Sequence, residues 1–473
     1  MTTFSLWING KAIQPAATFA VINPADKSVL AQAPQGSAND VDEAVAAANA
    51  AFPAWAALSW QERRDYLNQL ADVVESHQEE LAELLSREQG KPLQGFAGLG
   101  AGFEIGGTLA WMRATAALEL PVETLQQGEG LTIEVHRKPL GVVGSITPWN
   151  YPLLITIWHI IPALLAGNTV VMKPSENTPL TVLRFAELAN GILPPGVLNA
   201  VAGAGDVGQA ISNHPGIHKI VFTGSTPTGQ AIMKAAAGNL KRLTLELGGN
   251  DAAIVLDDVD VADVAPKIFA TAFLNNGQTC AAIKRLYVQD GVYDALCAAL
   301  KGIAESVRTG NGMDAQSDFG PLQNEAQLDI VKRLAEDARA RGATFLTGGE
   351  QTDHSGYYFP ITLVTDIADG APLVDEEQFG PILPIIRFTE VDEAVRLANS
   401  NANGLGGSVW SADVTRAREI GARLECGSLW INNHAMIQPN APFGGVKASG
   451  FGVEFGVAGL KEFTSIQTRH IYG

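Results

Sequence analysis

Between Gly141 and Leu247 short apolar runs alternate with longer amphipathic stretches: GVVGSI, TVVMK, VLNAV, KIVFTG and RLTLEL are separated by segments that begin near Pro152, Thr178, Asp206 and Thr226. Runs of Val and Ile without polar alternation are the mark of strands covered on both faces. Strands alternating with helices of about ten or more residues predict parallel βαβ units. The pattern therefore predicts a doubly wound α/β sheet, and such sheets bind ligands beyond the carboxyl ends of their strands. Upstream, strand-like runs give way to polar-patterned helices around Asp40 to Ala51 and Ser59 to Arg87. Ser59-Trp60-Gln61-Glu62 has capping-box spacing, in which the Ser and Glu side chains satisfy free amides at a helix start. LELPVETL, QQGEG and LTIEVHR follow. There Leu131, Ile133 and Val135 alternate with Thr132, Glu134 and His136, which predicts a hairpin with one apolar face. From Asn250 to about Ser449 a second α/β pattern includes IVKRLAEDARARG and DEAVRLANS as helices, and the tail FTSIQTRHIYG is strand-like.

Charge and cysteine usage narrow the picture. Pro139 to Met172 holds no Asp, Glu, Lys or Arg, long enough to raise a membrane span. Pro148, Pro152, Pro162 and the Gly167-Asn168 turn divide it into strand, loop, helix and strand instead. A net charge of -18 argues against a nucleic-acid partner. Cys280, Cys297 and Cys426 are an odd set, widely spaced, that fits neither a disulfide framework nor a zinc site, so no metal is expected. With no basic and apolar leader at the N-terminus, the expected location is the cytoplasm, without membrane attachment.

Candidate chemistry collects at predicted strand ends. FTGSTPTG places Gly224, Ser225 and Gly229 at the mouth of a helix, where free amides favour a pyrophosphate; an ordinary glycine-containing turn explains it equally well. KPSE puts Lys173 and Glu176 past another strand, PWN puts Asn150 past a third, and LELGGND puts Glu246 past a fourth. NNGQTC supplies Cys280, and EEQFGP and PFGG add two later turns. A lone cysteine is more often a small buried hydrophobe than a nucleophile, which is how Cys297 in DALCAAL and Cys426 in LECGSLW read.

In order, approximate spacing and nearly full length, these motifs resemble the aldehyde dehydrogenase superfamily. The resemblance implies a Rossmann-like NAD-binding domain (1–117 and 139–248), an α/β catalytic domain (249–449) and a small β oligomerisation element (118–138 and 455–473), assembled as a homodimer or homotetramer. It implies oxidation of an aldehyde to a carboxylate with NAD: Cys280 as nucleophile, Asn150 with the Cys280 backbone amide as oxyanion donors, Glu246 as deacylating base and Glu454 ordering the water. An aldehyde carbon donates hydride poorly until a thiolate adds to it, so the chemistry itself requires such a nucleophile. The cofactor contacts implied are Lys173 and Glu176 at the adenosine ribose, Gly224, Ser225 and Gly229 at the pyrophosphate, and Glu377 at the nicotinamide ribose. Phe379 and Phe443 would line the nicotinamide, with Ile146, Trp149 and Leu247 nearby. Tyr151, Trp158, Thr279 and Ala281 would border the aldehyde.

Aromatic walls with small flanking residues suit an uncharged aliphatic or aromatic aldehyde. No arginine stands in ITPWNYPLLITIWH to clamp a carboxylate, as semialdehyde-oxidising relatives require. A trimethylammonium aldehyde also fits aromatic faces. His434 in INNHAMIQPN departs from the family's frequent Asn-Cys pair. A relative that passes the acyl group to coenzyme A is disfavoured by Glu246, and an inactive homologue by the joint presence of nucleophile, base and oxyanion donor.

Overall fold

The computed structural model describes residues 3–128 and 130–473, so Met1, Thr2 and the Glu129 position of the QQGEG turn lie outside the described residues. One sheet runs in the order Lys11–Ile13, Leu6–Ile8, Leu198–Ala200, Thr169–Lys173, Val142–Ile146, Lys219–Thr223, Arg242–Glu246, Gly450–Phe451. Its five central strands are parallel. Strand order reverses between Val142–Ile146 and Lys219–Thr223, and at such a switch point the flanking helices diverge and leave a crevice. Val142, Val143, Val170, Val171, Ile220 and Val221 are fully buried, as their unbroken apolar runs require.

The uncharged segment from Pro139 resolves into the strand Val142–Ile146, the helix Pro152–Leu165 and the strand Thr169–Lys173. Pro152 sits in the first helical turn, where a missing N–H costs nothing, and that helix is buried nearly all round. Among the described residues no helix is long and apolar enough to cross a membrane.

A second sheet, in the order Thr344–Thr347, Thr362–Thr365, Ile382–Phe388, Ile283–Gln289, Asp251–Val255, Gly406–Trp410, Ser428–Ile431, is parallel except for its first strand. A small antiparallel sheet joins Thr464–Tyr472, Leu131–Pro139 and Glu123–Gly128.

Two expectations change. The predicted helix from Ser59 to Arg87 starts with the expected capping box but is two helices, Trp60–Ser76 and Gln78–Gln89, because His77 leaves helical geometry (φ -115°, ψ 15°). The strand Leu131–Pro139 is half-buried along nearly its whole length rather than on alternate residues, since no element among the described residues covers either face completely.

Candidate functional site

Three of the residues singled out above, Ile146, Lys173 and Glu246, end neighbouring strands. Ile146 lies beside Lys173 across one ladder, Phe222 pairs with Ile146 across the next, and Thr223 pairs with Glu246 across a third. The sheet order brings these ends together on one side of the switch point.

On this edge Ser225 caps the helix Thr226–Ala236, accepting the Thr228 N–H at 3.4 Å. The Gly224 amide donates to the Glu246 carbonyl at 3.0 Å. Gly229 packs on Leu247 so closely that a Cβ there would stand 2.6 Å from Leu247 Cδ2. Lys173 Nζ lies 3.2 Å from Glu176 Oε2, and the Glu176 carboxylate is half exposed. Thr178 donates to the Trp149 carbonyl, and the Trp149 ring meets Phe379 edge-on at 5.3 Å. Glu377 accepts the Gly249 N–H at 3.0 Å and faces Lys284 Nζ at 3.5 Å. A helix start with free amides, tight packing of that helix on Leu247 at Gly229, and the nearby carboxylates of Glu176 and Glu377 together fit a dinucleotide.

Cys280 follows a turn in which Asn275, Asn276 and Gly277 all take positive φ. Gly277 is required there, because a Cβ would lie 2.1 Å from the Gly380 carbonyl oxygen. The cysteine faces a cavity of about 530 Å³ that Tyr151, Trp158, Thr279, Ala281 and Phe443 also line. Apolar surroundings push its thiol up to about 12, with the Lys284 ammonium as the leading opposing influence. The Asn150 side-chain amide reaches the same turn and donates to the Gln278 carbonyl at 2.9 Å, which leaves its second hydrogen for another acceptor.

Glu246 is only 4% exposed, and neither carboxylate oxygen has a hydrogen-bond partner among the described residues. Desolvation, and then the neighbouring Glu454, raise its pKa well above the ordinary carboxylate value. Glu454 is held by a backbone bridge to Phe443, with bonds of 2.7 and 3.0 Å, and its Oε1 lies 3.3 Å from His159 Nε2. Phe443 stacks on Phe455 at 5.8 Å and is part of the cavity wall on the Cys280 side.

Some residues in and around the cavity were missed or only partly marked by the sequence. Trp111 packs against both Trp158 and Phe455, although nothing in TLAWMRA marks it beyond an apolar helix position. His434 is fully buried on the wall, with Nδ1 2.9 Å from Ser408 Oγ and Nε2 3.5 Å from Asp251 Oδ2. Lys284 was legible in one respect only, standing four residues after Cys280. Of the remaining cysteines, Cys297 is core as expected, whereas Cys426 is half-buried and donates to the Ser428 carbonyl rather than filling a core.

The aldehyde dehydrogenase family model matches residues 8–469. The chain is 37% identical to the aldehyde dehydrogenase LUC3 of a Fusarium species, over 100% of this chain and 99% of that protein. It is 38% identical to the phenylacetaldehyde dehydrogenase of Pseudomonas fluorescens, over 98% and 93%. Among solved structures, the NAD+ complex of the aldehyde dehydrogenase from Bacillus cereus superposes with a TM-score of 0.96 at 35% identity, covering 100% of this chain and 97% of that one.

Proposed function

This chain belongs to the aldehyde dehydrogenase family and is an NAD-dependent enzyme that oxidises an aldehyde, and from that premise we propose that its substrates are uncharged, apolar aldehydes, oxidised through a covalent adduct on Cys280. The observation that carries the substrate class is the cavity ending at Cys280. Phe103, Trp111, Tyr151, Leu154, Trp158 and Phe443 dominate its wall, and no Lys, Arg, Asp or Glu is among its lining residues. Bringing a carboxylate in without a partner would cost on the order of several kcal/mol. A quaternary ammonium would meet aromatic faces but no carboxylate, so it ranks second. The phenylacetaldehyde-oxidising relative adds support for an aryl aldehyde.

In the proposed sequence the Cys280 thiol releases its proton to solvent and the sulfur, as thiolate, adds to the aldehyde carbon. The resulting alkoxide is held by the Asn150 amide and the Cys280 N–H, donors worth about 3 kcal/mol each when aimed at a developing charge. Bound NAD would supply the hydride acceptor for this carbon. The thioester left on Cys280 is then attacked by water, with Glu246 taking the proton and Glu454 orienting the water. A carboxylate whose pKa is raised by burial is the better base near neutrality. Lys173, Glu176, Gly224, Ser225, Gly229, Glu377 and Phe379, with Ile146, Trp149 and Leu247 beneath them, would hold the cofactor.

The proposed division of labour sets 1–117 with 139–248 on the cofactor, 249–449 on the nucleophile, and 118–138 with 455–473 on assembly. Exposed Leu125, Ile466, Ile471 and Tyr472 on the small sheet, and the open edge of Glu123–Gly128, support a homodimer or homotetramer built there. The substrate reading is tested by kcat/KM for phenylacetaldehyde, hexanal, betaine aldehyde and succinic semialdehyde. The first two should lead. A lead for succinic semialdehyde overturns the reading, and a lead for betaine aldehyde moves it to the cationic class.

A further inference from the structure

Lys91 and Glu104 lie outside every motif considered above, yet their side chains are almost wholly buried and meet at 2.5 Å. The Lys91 ammonium also donates to the Asn150 carbonyl at 2.9 Å and lies 3.8 Å from the centre of the Tyr151 ring. Through its other oxygen Glu104 accepts the N–H groups of Leu153 and Leu154 at 3.2 and 3.3 Å. These are first-turn amides of the helix Pro152–Leu165, which the helix cannot satisfy internally. From the cysteine turn, Asn275 donates to the same Asn150 carbonyl at 3.0 Å.

We propose that Lys91 and Glu104 are positioning residues for the Asn150 amide and the Tyr151 wall, an inference that rests on the reading of Asn150 as an oxyanion donor. The carbonyl that Lys91 and Asn275 hold belongs to the peptide following Asn150, so fixing it fixes the main chain from which the Asn150 side chain departs. Glu104 fixes the same segment three and four residues on. A buried ion pair gives little net stability, because desolvation offsets the attraction. What this pair supplies is direction: the ammonium is shared among Glu104, the Asn150 carbonyl and the Tyr151 face, and both Glu104 oxygens are engaged. Packing alone would be met as well by an apolar pair. A displacement of about 1 Å at a reacting group can cost about 100-fold in rate.

The test replaces both partners at once, Lys91→Met with Glu104→Gln, so that no lone charge stays buried. In the NAD-bound enzyme we expect the rate of the NADH burst to fall about 10- to 100-fold, with kcat affected more than the aldehyde KM. NAD affinity measured by fluorescence should hold, and hydrogen exchange at Leu153 and Leu154 should quicken. Combined with Asn150→Ala, the pair should add little further loss, since it acts through Asn150. Lys91→Arg, which keeps the charge, should retain more of the burst than Lys91→Met. A burst rate within about twofold of wild type, or a loss that adds in full to that of Asn150→Ala, overturns the inference. If Asn150→Ala itself leaves the burst intact, the oxyanion reading fails first and takes this one with it. Should the paired variant not fold, the apolar pair Lys91→Leu with Glu104→Met, which likewise leaves no lone charge buried, carries the same outcomes.

Discussion

Glu104 and Glu246 are buried to nearly the same degree, at 0% and 4% exposure, and their surroundings could hardly differ more. Glu104 meets an ammonium and two helix amides. Glu246 meets no hydrogen-bond donor among the described residues and has a second carboxylate beside it. Burial alone thus does not decide what a carboxylate does. With an ammonium beside it and its lone pairs satisfied, a buried carboxylate is a fixed strut; without partners it is driven towards the protonated form and is set to exchange a proton.

The sharpest way to break this contrast is to remove the reacting group at each end of the proposed chemistry. Cys280→Ala should abolish both burst and turnover. Glu246→Gln should keep a burst of about one NADH per site while steady-state turnover falls on the order of 10³-fold, because only the second half-reaction needs the base. Equal loss of the burst in both variants would mean that Glu246 also activates the thiol.

A smaller effect separates Glu246 from Glu454. As a base Glu246 must be unprotonated, and its pKa is raised, so turnover should climb with pH until it ionises. Removing the like charge with Glu454→Gln lowers that pKa, and the rising limb of the pH–rate profile should move to lower pH, even as the maximum drops about tenfold. An unmoved limb would show that the pair is not coupled in solution.

Glu176 provides the exposed counterpart. Its charge is half in water, and a 2′-phosphate at about 4 Å would meet roughly 1 to 4 kcal/mol of repulsion, partly offset by Lys173. NAD should therefore outperform NADP by about tenfold or more in kcat/KM, and Glu176→Ser should narrow the ratio by about as much. An unchanged ratio removes Glu176 as the discriminator.

The least effect on activity is expected at Glu88, a buried carboxylate that accepts the Leu180 and Thr181 amides and is still pushed up to about 7 by desolvation. Between its ordinary 4.5 and that value the folded chain retains a proton that the unfolded chain has released, so stability should fall as pH rises through this window, by on the order of 3 kcal/mol. Melting temperatures of wild type and Glu88→Gln should match below the window and differ by a few degrees in favour of the variant above it. Parallel curves would show that Glu88 stays ionised.

The sequence alone determined the alternation of strand and helix from Gly141 to Leu247, the capping box at Ser59, the strand-like tail, and the motifs ending in Asn150, Lys173, Glu246 and Cys280. Those signals are local: hydrophobic period, turn residues and short motifs act over a few residues, so they are readable without the fold. The break at His77 shows their limit, since a one-residue departure from helical geometry leaves the apolar period almost unchanged. What the tertiary structure decided is which distant residues meet. Lys91 finds the carbonyl of Asn150, Glu454 finds His159, and Asp251 finds His434, through strand order and sheet register. None of these side chains follows a period that foretells its partner. Pairing across such separations is set by the topology that packs the apolar faces, and the polar contacts are then whatever that packing brings within reach.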